Sequence, residues 1–269
     1  MAITATAAAV ESSASVTLTL TGLPLGYLLR VRRVLASTGA RTPVRGPAGL
    51  LDGATTITSA FMVLEDYEAP LGVEVSYLIE ATSGSTVQSY RTDAVTVPHA
   101  DPDMAWLKDP ANPQRNVQIM VQRPPDWQRP IEQAKHRVAG RRNAVILWDV
   151  RGGREGDLTV FTRTDAEREV LGRLLDSGNV LLWQATPGMG VDDTYVSVGP
   201  SAEPRIAPDA RDPWRSWTLP LVEQDMPTTI GVNGSGNRTW ADVVAEFDTC
   251  TDVMDTYATC EDLLLDWRR

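Results

Sequence analysis

A chain of 269 residues, 42% apolar and 22% charged, is long enough for one large domain or two ordinary ones, and its composition excludes wholesale disorder. Its net charge of −10 argues against generic nucleic-acid binding, which relies on Lys and Arg to neutralise phosphates. No run approaches the roughly 18 apolar residues of a membrane span, and the start lacks the basic region of a signal peptide, so synthesis in a cytoplasm is expected.

Residues 1–10 read as a first strand or arm. Residues 15–20 alternate Val16, Leu18 and Leu20 with Thr17 and Thr19, the period-2 signature of a half-buried strand. A turn at 22–26 leads to a second strand at 27–35, and turn chemistry returns over 41–53. The clearest strand places Val73, Val75, Tyr77, Ile79 and Ala81 on one face, with Glu74, Ser76 and Glu80 on the other. Ser83-Gly84-Ser85 is a hairpin turn into 86–91, and 94–97 closes the run. Short strands without helical periodicity predict an all-β sandwich over 1–97.

Residues 98–116 hold His99, four Pro, three Asp and two Asn, and read as a linker with Trp106 and Leu107 as anchors that pin it to a neighbour. A second domain is expected over 117–227. It opens with a strand at 117–121, passes a Pro-rich loop at 123–130, and continues with strands at 144–150 and 157–162 joined by a hairpin turn at 151–156. Thr164 with Glu167 forms a capping box. Ala166, Val170, Leu171, Leu174 and Leu175 then share one helix face, which Gly178 ends. Strands at 180–185, 194–198 and 214–223 complete a β-sheet with one packed helix, an α+β arrangement.

Residues 228–238 read as a connector. The segment 239–269 repeats at a period of ten: Thr239, Thr249 and Thr259 recur, as do Asp242, Asp252 and Asp262, and the aromatic positions Phe247, Tyr257 and Trp267. Each Thr precedes an Asp at i+3, a helix-start arrangement. Ten residues drift by ~80° from whole helical turns, so short capped turns fit better than one rod. Between 239 and 267 there are eight acidic residues and no basic one. Units this small need something to pack on, either this chain's own body or a partner.

Catalytic constellations do not emerge. The two histidines, His99 and His136, are far apart, and there is no H-E-x-x-H, G-x-S-x-G or phosphate loop. Gly188-Met189-Gly190 lacks the third glycine of a dinucleotide fingerprint and reads as a turn. Glu65, Asp66, Glu68 and the pair Asp192-Asp193 are expected in solvated loops, and Asp101, Asp103, Asp192 and Asp193 lack the ligand series of a calcium loop. Neither cofactor nor metal is expected. Cys250 and Cys260 read as small buried residues, their pairing left open. The cluster Arg137, Arg141, Arg142, Arg151 and Arg154 reads as a solvated face or a subunit contact. Of the eight Trp, Trp127 in its Pro-rich loop and Trp240 of the repeat join Trp106 as candidate interface anchors.

An ordered series of residues carries a family resemblance. It runs from Asp66-Tyr67-Glu68-Ala69-Pro70-Leu71-Gly72 before the strand ending at Tyr77, through Trp106-Leu107-Lys108-Asp109-Pro110 and Asp149-Val150-Arg151-Gly152-Gly153-Arg154, to Trp217-Thr218-Leu219-Pro220-Leu221 and the Thr-Trp-Ala-Asp repeat. In these the chain resembles minor tail proteins of siphophages of actinobacteria, related to distal tail proteins of the tail tip. It departs from them at Cys250 and Cys260, where the repeat tends to keep Trp. The resemblance implies a mainly β protein whose N-terminal sandwich is fibronectin type III-like. It also implies a virion location and a homo-oligomeric ring or collar, often hexameric, that contacts tail-tube, tape-measure, baseplate hub or fibre proteins. Candidate interface residues are then Trp106, Trp127, Arg141, Arg142, Arg151, Arg154, Trp240, Phe247, Tyr257 and Trp267. Rival readings are a receptor- or carbohydrate-binding module and, more weakly, a cell-wall hydrolase.

Overall fold

A computed structural model describes residues 2–46, 49–99, 101–131, 133–137, 139–148, 151–209, 211–227, 247 and 249–256. The protein is mainly β. The N-terminal part contains β1 (Thr4–Val10), β2 (Ser15–Thr21), β3 (Leu28–Leu35), β4 (Arg41–Pro43), β5 (Arg45–Gly46), β6 (Gly49–Leu50), β7 (Asp52–Thr56), β8 (Phe61–Asp66), β9 (Glu74–Ser83), β10 (Thr86–Arg91) and β11 (Val95–Thr96). One sheet has the order β1-β2-β8. The other runs β10-β9-β3-β4, with β7 also on β3 and β11 on β9. Both sheets turn their apolar faces into one core: Val16, Leu18 and Leu20 from β2 meet Leu29, Val31, Val75, Tyr77, Ile79 and Ala81. The alternation in β2 and β9 therefore reports a real inner face. The β9–β10 hairpin turns at Gly84-Ser85, as its sequence suggests.

Two expectations for this part change. Residues 41–53 do not form only turns; they contribute β4 to β7. Strand β8 is absent from the sequence reading because Phe61 and Val63 point outward and are exposed, so no apolar/polar alternation marks it.

The second part contains β12 (Met104–Lys108), β13 (Val117–Arg123), β14 (Gln133–His136), β15 (Val145–Trp148), β16 (Glu155–Thr162), α1 (Asp165–Leu175), β17 (Leu181–Gln184), β18 (Thr194–Val198) and β19 (Arg215–Glu223). Six of these strands close into a barrel in the order β12-β13-β16-β19-β18-β17. The stretch expected as a linker thus carries a barrel strand. Closure depends on β12, which pairs with β13 on one side and β17 on the other. The barrel core holds Leu107, Ile119, Leu158, Val160, Trp183, Val196, Trp217 and Leu219, and α1 covers it with Leu171 and Leu174.

The helix begins as its sequence requires: the Glu167 N–H donates to Thr164 Oγ1 at 3.1 Å. The Glu167 carboxylate reaches back to the Arg163 N–H at 2.7 Å, one residue earlier than a capping box places it. Ala166 and Val170 are exposed, so the buried face is narrower than the periodicity suggests. Residues 151–156 do not form a hairpin turn. Strand β15 pairs with β14, not β16, and the two make a separate ribbon.

A further helix, α2 (Cys250–Thr256), is capped as the repeat predicts, with the Asp252 N–H donating to Thr249 Oγ1 at 3.2 Å and the Thr249 N–H donating to the Asp252 carboxylate at 3.0 Å. Cys250 is exposed rather than buried, since α2 turns it to solvent. Apart from Phe247, the other two repeat units lie outside the described residues. Among the described residues, no helix is long and apolar enough to cross a membrane.

Candidate functional site

Strand β17 is buried along its whole length, although it lies in a barrel with one inner face. Leu181 and Trp183 fill the barrel core. Their neighbours Leu182 and Gln184 face the N-terminal sandwich instead. In β12 the same split puts Leu107 inside the barrel and Trp106 and Lys108 outside it, and the register sets Trp106 opposite Gln184 and Lys108 opposite Leu182. These four side chains are the barrel's contribution to a seam between the two β units.

The seam is buried and joined by specific hydrogen bonds. Lys108, 1% exposed, donates from Nζ to the carbonyls of Ala14 and Tyr67, each at 2.7 Å. Gln184, fully buried, donates to the Ala69 carbonyl at 2.7 Å. Trp106 packs on the sandwich core, with the Lys108 ammonium 5.3 Å from its ring centroid. Ala14 holds a left-handed backbone (φ 48°), which aims its carbonyl at Lys108. Gly72 (φ 65°) brings the chain so close that a Cβ there would sit 2.9 Å from Pro187 Cγ. Burial lowers the Lys108 pKa to about 7, against the pull of Asp66 and Asp193.

Behind the seam lies a buried ionic cluster. Arg33 Nη1 donates to both Asp66 oxygens at 2.8 and 2.7 Å, Tyr77 donates to Asp66 at 3.0 Å, and the Glu68 N–H donates to it at 3.0 Å. Arg45 holds Glu68 at 3.1 Å and also reaches the Pro227 carbonyl at 2.8 Å, tying the end of the barrel chain to the sandwich. Burial is the largest single influence and opposes the Arg33 charge, but Asp66, Tyr77 and Glu68 together outweigh it and the pKa rises. Burial raises the Glu68 carboxyl, with Arg45 offsetting. Asp66 and Glu68 therefore do not lie in a solvated loop; only Glu65 of that group stays exposed, accepting from the Tyr67 hydroxyl.

A cleft of about 560 Å³ opens beside the seam, lined among others by Arg33, Glu68, Pro187, Asp192, Asp193 and Tyr195. Asp193 keeps an exposed edge, yet desolvation by the cleft walls pushes its carboxyl up to about 6, opposed by the Ala185 N–H and Gln184. The acids here are held by the fold: Glu68 by Arg45, and Asp193 by the Ala185 N–H at 3.1 Å. Among the described residues, no group of three or more His, Cys, Asp or Glu is placed to hold a metal ion.

The residues singled out from sequence fall into three sets. Trp106, Trp127 and Arg154 serve contacts within the chain. Trp127 packs on the barrel core beneath the Arg154 guanidinium, 5.2 Å from its ring centroid, and Arg154 also bonds Glu223 and Thr194 at 3.0 Å. The neighbour that Trp106 pins is this chain's own sandwich. Arg141, Arg142 and Arg151 are exposed, the first two at the tip of the β14–β15 ribbon. Phe247 is half-buried, while Trp240, Tyr257 and Trp267 lie outside the described residues.

Sequence reasoning missed Arg33, Asp66, Lys108 and Gln184 as a group. The signal that could have found them is Lys108 on a strand that otherwise reads as apolar, since a buried lysine needs carbonyl or carboxylate partners. No family model matches the chain, and no curated protein matches it.

Proposed function

We propose that the chain is a structural subunit of a bacteriophage tail tip, without catalytic residues, which binds itself in a ring or collar and holds tail-tube and baseplate or fibre proteins. The observation that carries this reading is the β14–β15 ribbon. Every side chain described in it is exposed, and a lone two-stranded ribbon is marginal in water. Such an arm gains its stability from a neighbour. The packing of two antiparallel sheets, β1-β2-β8 against the six-stranded sheet built on β10-β9-β3-β4, supports the fibronectin type III-like assignment. The seam supports a structural role, because it joins two β units through buried contacts. The resemblance of residues 66–72, 106–110 and 149–154 to tail-tip proteins adds the virion context.

Imaging virions with a label on this chain tests the reading: density at the end of the tail is expected, and label on the capsid, or none on the particle, refutes it. A second reading, a receptor- or carbohydrate-binding tail module, is favoured by the cleft with Asp192, Asp193 and Tyr195. Incubation with host cell-wall glycans separates the readings. Binding without cleavage supports the module, fragment release supports a hydrolase, and neither is expected of a ring subunit.

A further inference from the structure

We infer that the β14–β15 ribbon is a cationic arm whose occupant is the acidic C-terminal segment 239–267 of this same protein. The inference rests on charge and exposure alone and stands whether or not the protein belongs to a phage tail.

Between 133 and 148 the chain carries Lys135, Arg137, Arg141 and Arg142, with His136 beside them, and no acid. All five of these residues are exposed. Exposed Val145 and Ile146 on the second strand add apolar area next to the charges. Backbone hydrogen bonds fasten the ribbon at its root. Gln128 and Glu155 exchange backbone hydrogen bonds at 2.7 and 2.8 Å, and the Gly152 N–H donates to the Pro130 carbonyl at 3.0 Å. A basic ribbon on a protein of net charge −10 has its complement in the same sequence: eight acids and no base between 239 and 267, interleaved with Val, Leu and aromatic residues that suit Val145 and Ile146. In α2, Asp252 is engaged by its own cap, but Thr251, Asp252 and Met254 are exposed, so this stretch of the segment presents both charge and apolar surface. Opposite charges brought together on such surfaces steer association and fix register.

The sequence supplies its own probe. The chain has two lysines, Lys135 and Lys108, and Lys108 is enclosed in the seam. Zero-length carbodiimide coupling of the full-length protein, followed by digestion and mass spectrometry, is expected to join Lys135 to acids between 242 and 266. Links within one chain and links between two chains both support the inference, and mixing isotope-labelled and unlabelled protein tells them apart. The triple variant Arg137→Glu/Arg141→Glu/Arg142→Glu keeps Lys135 and should lower the yield of that link on the order of tenfold. Backbone hydrogen exchange in 250–256 should accelerate in the same variant. Lys135 joined mainly to acids of the sandwich or barrel overturns the inference. So does an unlinked Lys135 with exchange unchanged in the variant, and so does protection of the ribbon by added duplex DNA in place of the link.

Discussion

The seam and the ribbon are both rich in charge, and they use it in opposite ways. In the seam, Arg33, Asp66, Glu68 and Lys108 are buried and held within hydrogen-bonding distance of partners, so each charge is costly to disturb. In the ribbon, Lys135, Arg137, Arg141 and Arg142 meet water, where a single charge adds little to folding stability. The same residue types thus act as internal fasteners in one place and as an outward-facing surface in the other. Burial decides which.

The sharpest way to break this contrast is Asp66→Ala. It leaves Arg33 buried without its carboxylate and strips Tyr77 of its acceptor, so a loss of about 3–5 kcal/mol is expected in urea unfolding. A loss under 1 kcal/mol would mean that the cluster is not a fastener.

Lys108 sharpens the comparison through pH. An unfolded lysine keeps its proton up to about 10.5, whereas the folded one releases it above about 7. Between those values the unfolded chain binds more protons, so stability should rise with pH, by at most about 1.4 kcal/mol per pH unit. Unfolding curves between pH 7.5 and 9.5 should show the rise in the wild-type protein and a flatter profile in Lys108→Met.

Gly72→Ala probes the close approach of the two units. It combines a left-handed backbone with a contact at Pro187, and about 1–3 kcal/mol of destabilisation is expected by thermal melting. The smallest folding effect belongs to the ribbon. Arg141→Ala/Arg142→Ala should shift stability by no more than about 0.5 kcal/mol while weakening assembly in sedimentation. If the pair unfolds the protein instead, the ribbon is part of the core, and the contrast fails.

Much of the fold was legible in the sequence where one face of an element is wet. Strands β2 and β9, the Gly84-Ser85 hairpin and the Thr164 cap all follow local rules that need no distant partner. Legibility failed where that assumption failed. Strand β8 exposes Phe61 and Val63, so no apolar/polar alternation marks it. Strand β12 hid among prolines and aspartates, and its barrel partner β17 lies more than 70 residues further along the chain. The seam was harder still: Asp66 looks like a loop acid until Arg33 and Tyr77 are placed around it. The arginines of the ribbon are exposed, as either a solvated face or a subunit contact requires, whereas Arg154 leaves that cluster to bond Glu223.

The measurement closest to the central claim is the mass of the intact protein by sedimentation equilibrium over a wide concentration range. A ring-forming subunit predicts a discrete oligomer of fixed copy number that persists on dilution and loosens when salt screens the ribbon's charges. A particle that remains a 29.3 kDa monomer at the highest concentration reached contradicts self-assembly, and with it the ring or collar proposed for the chain.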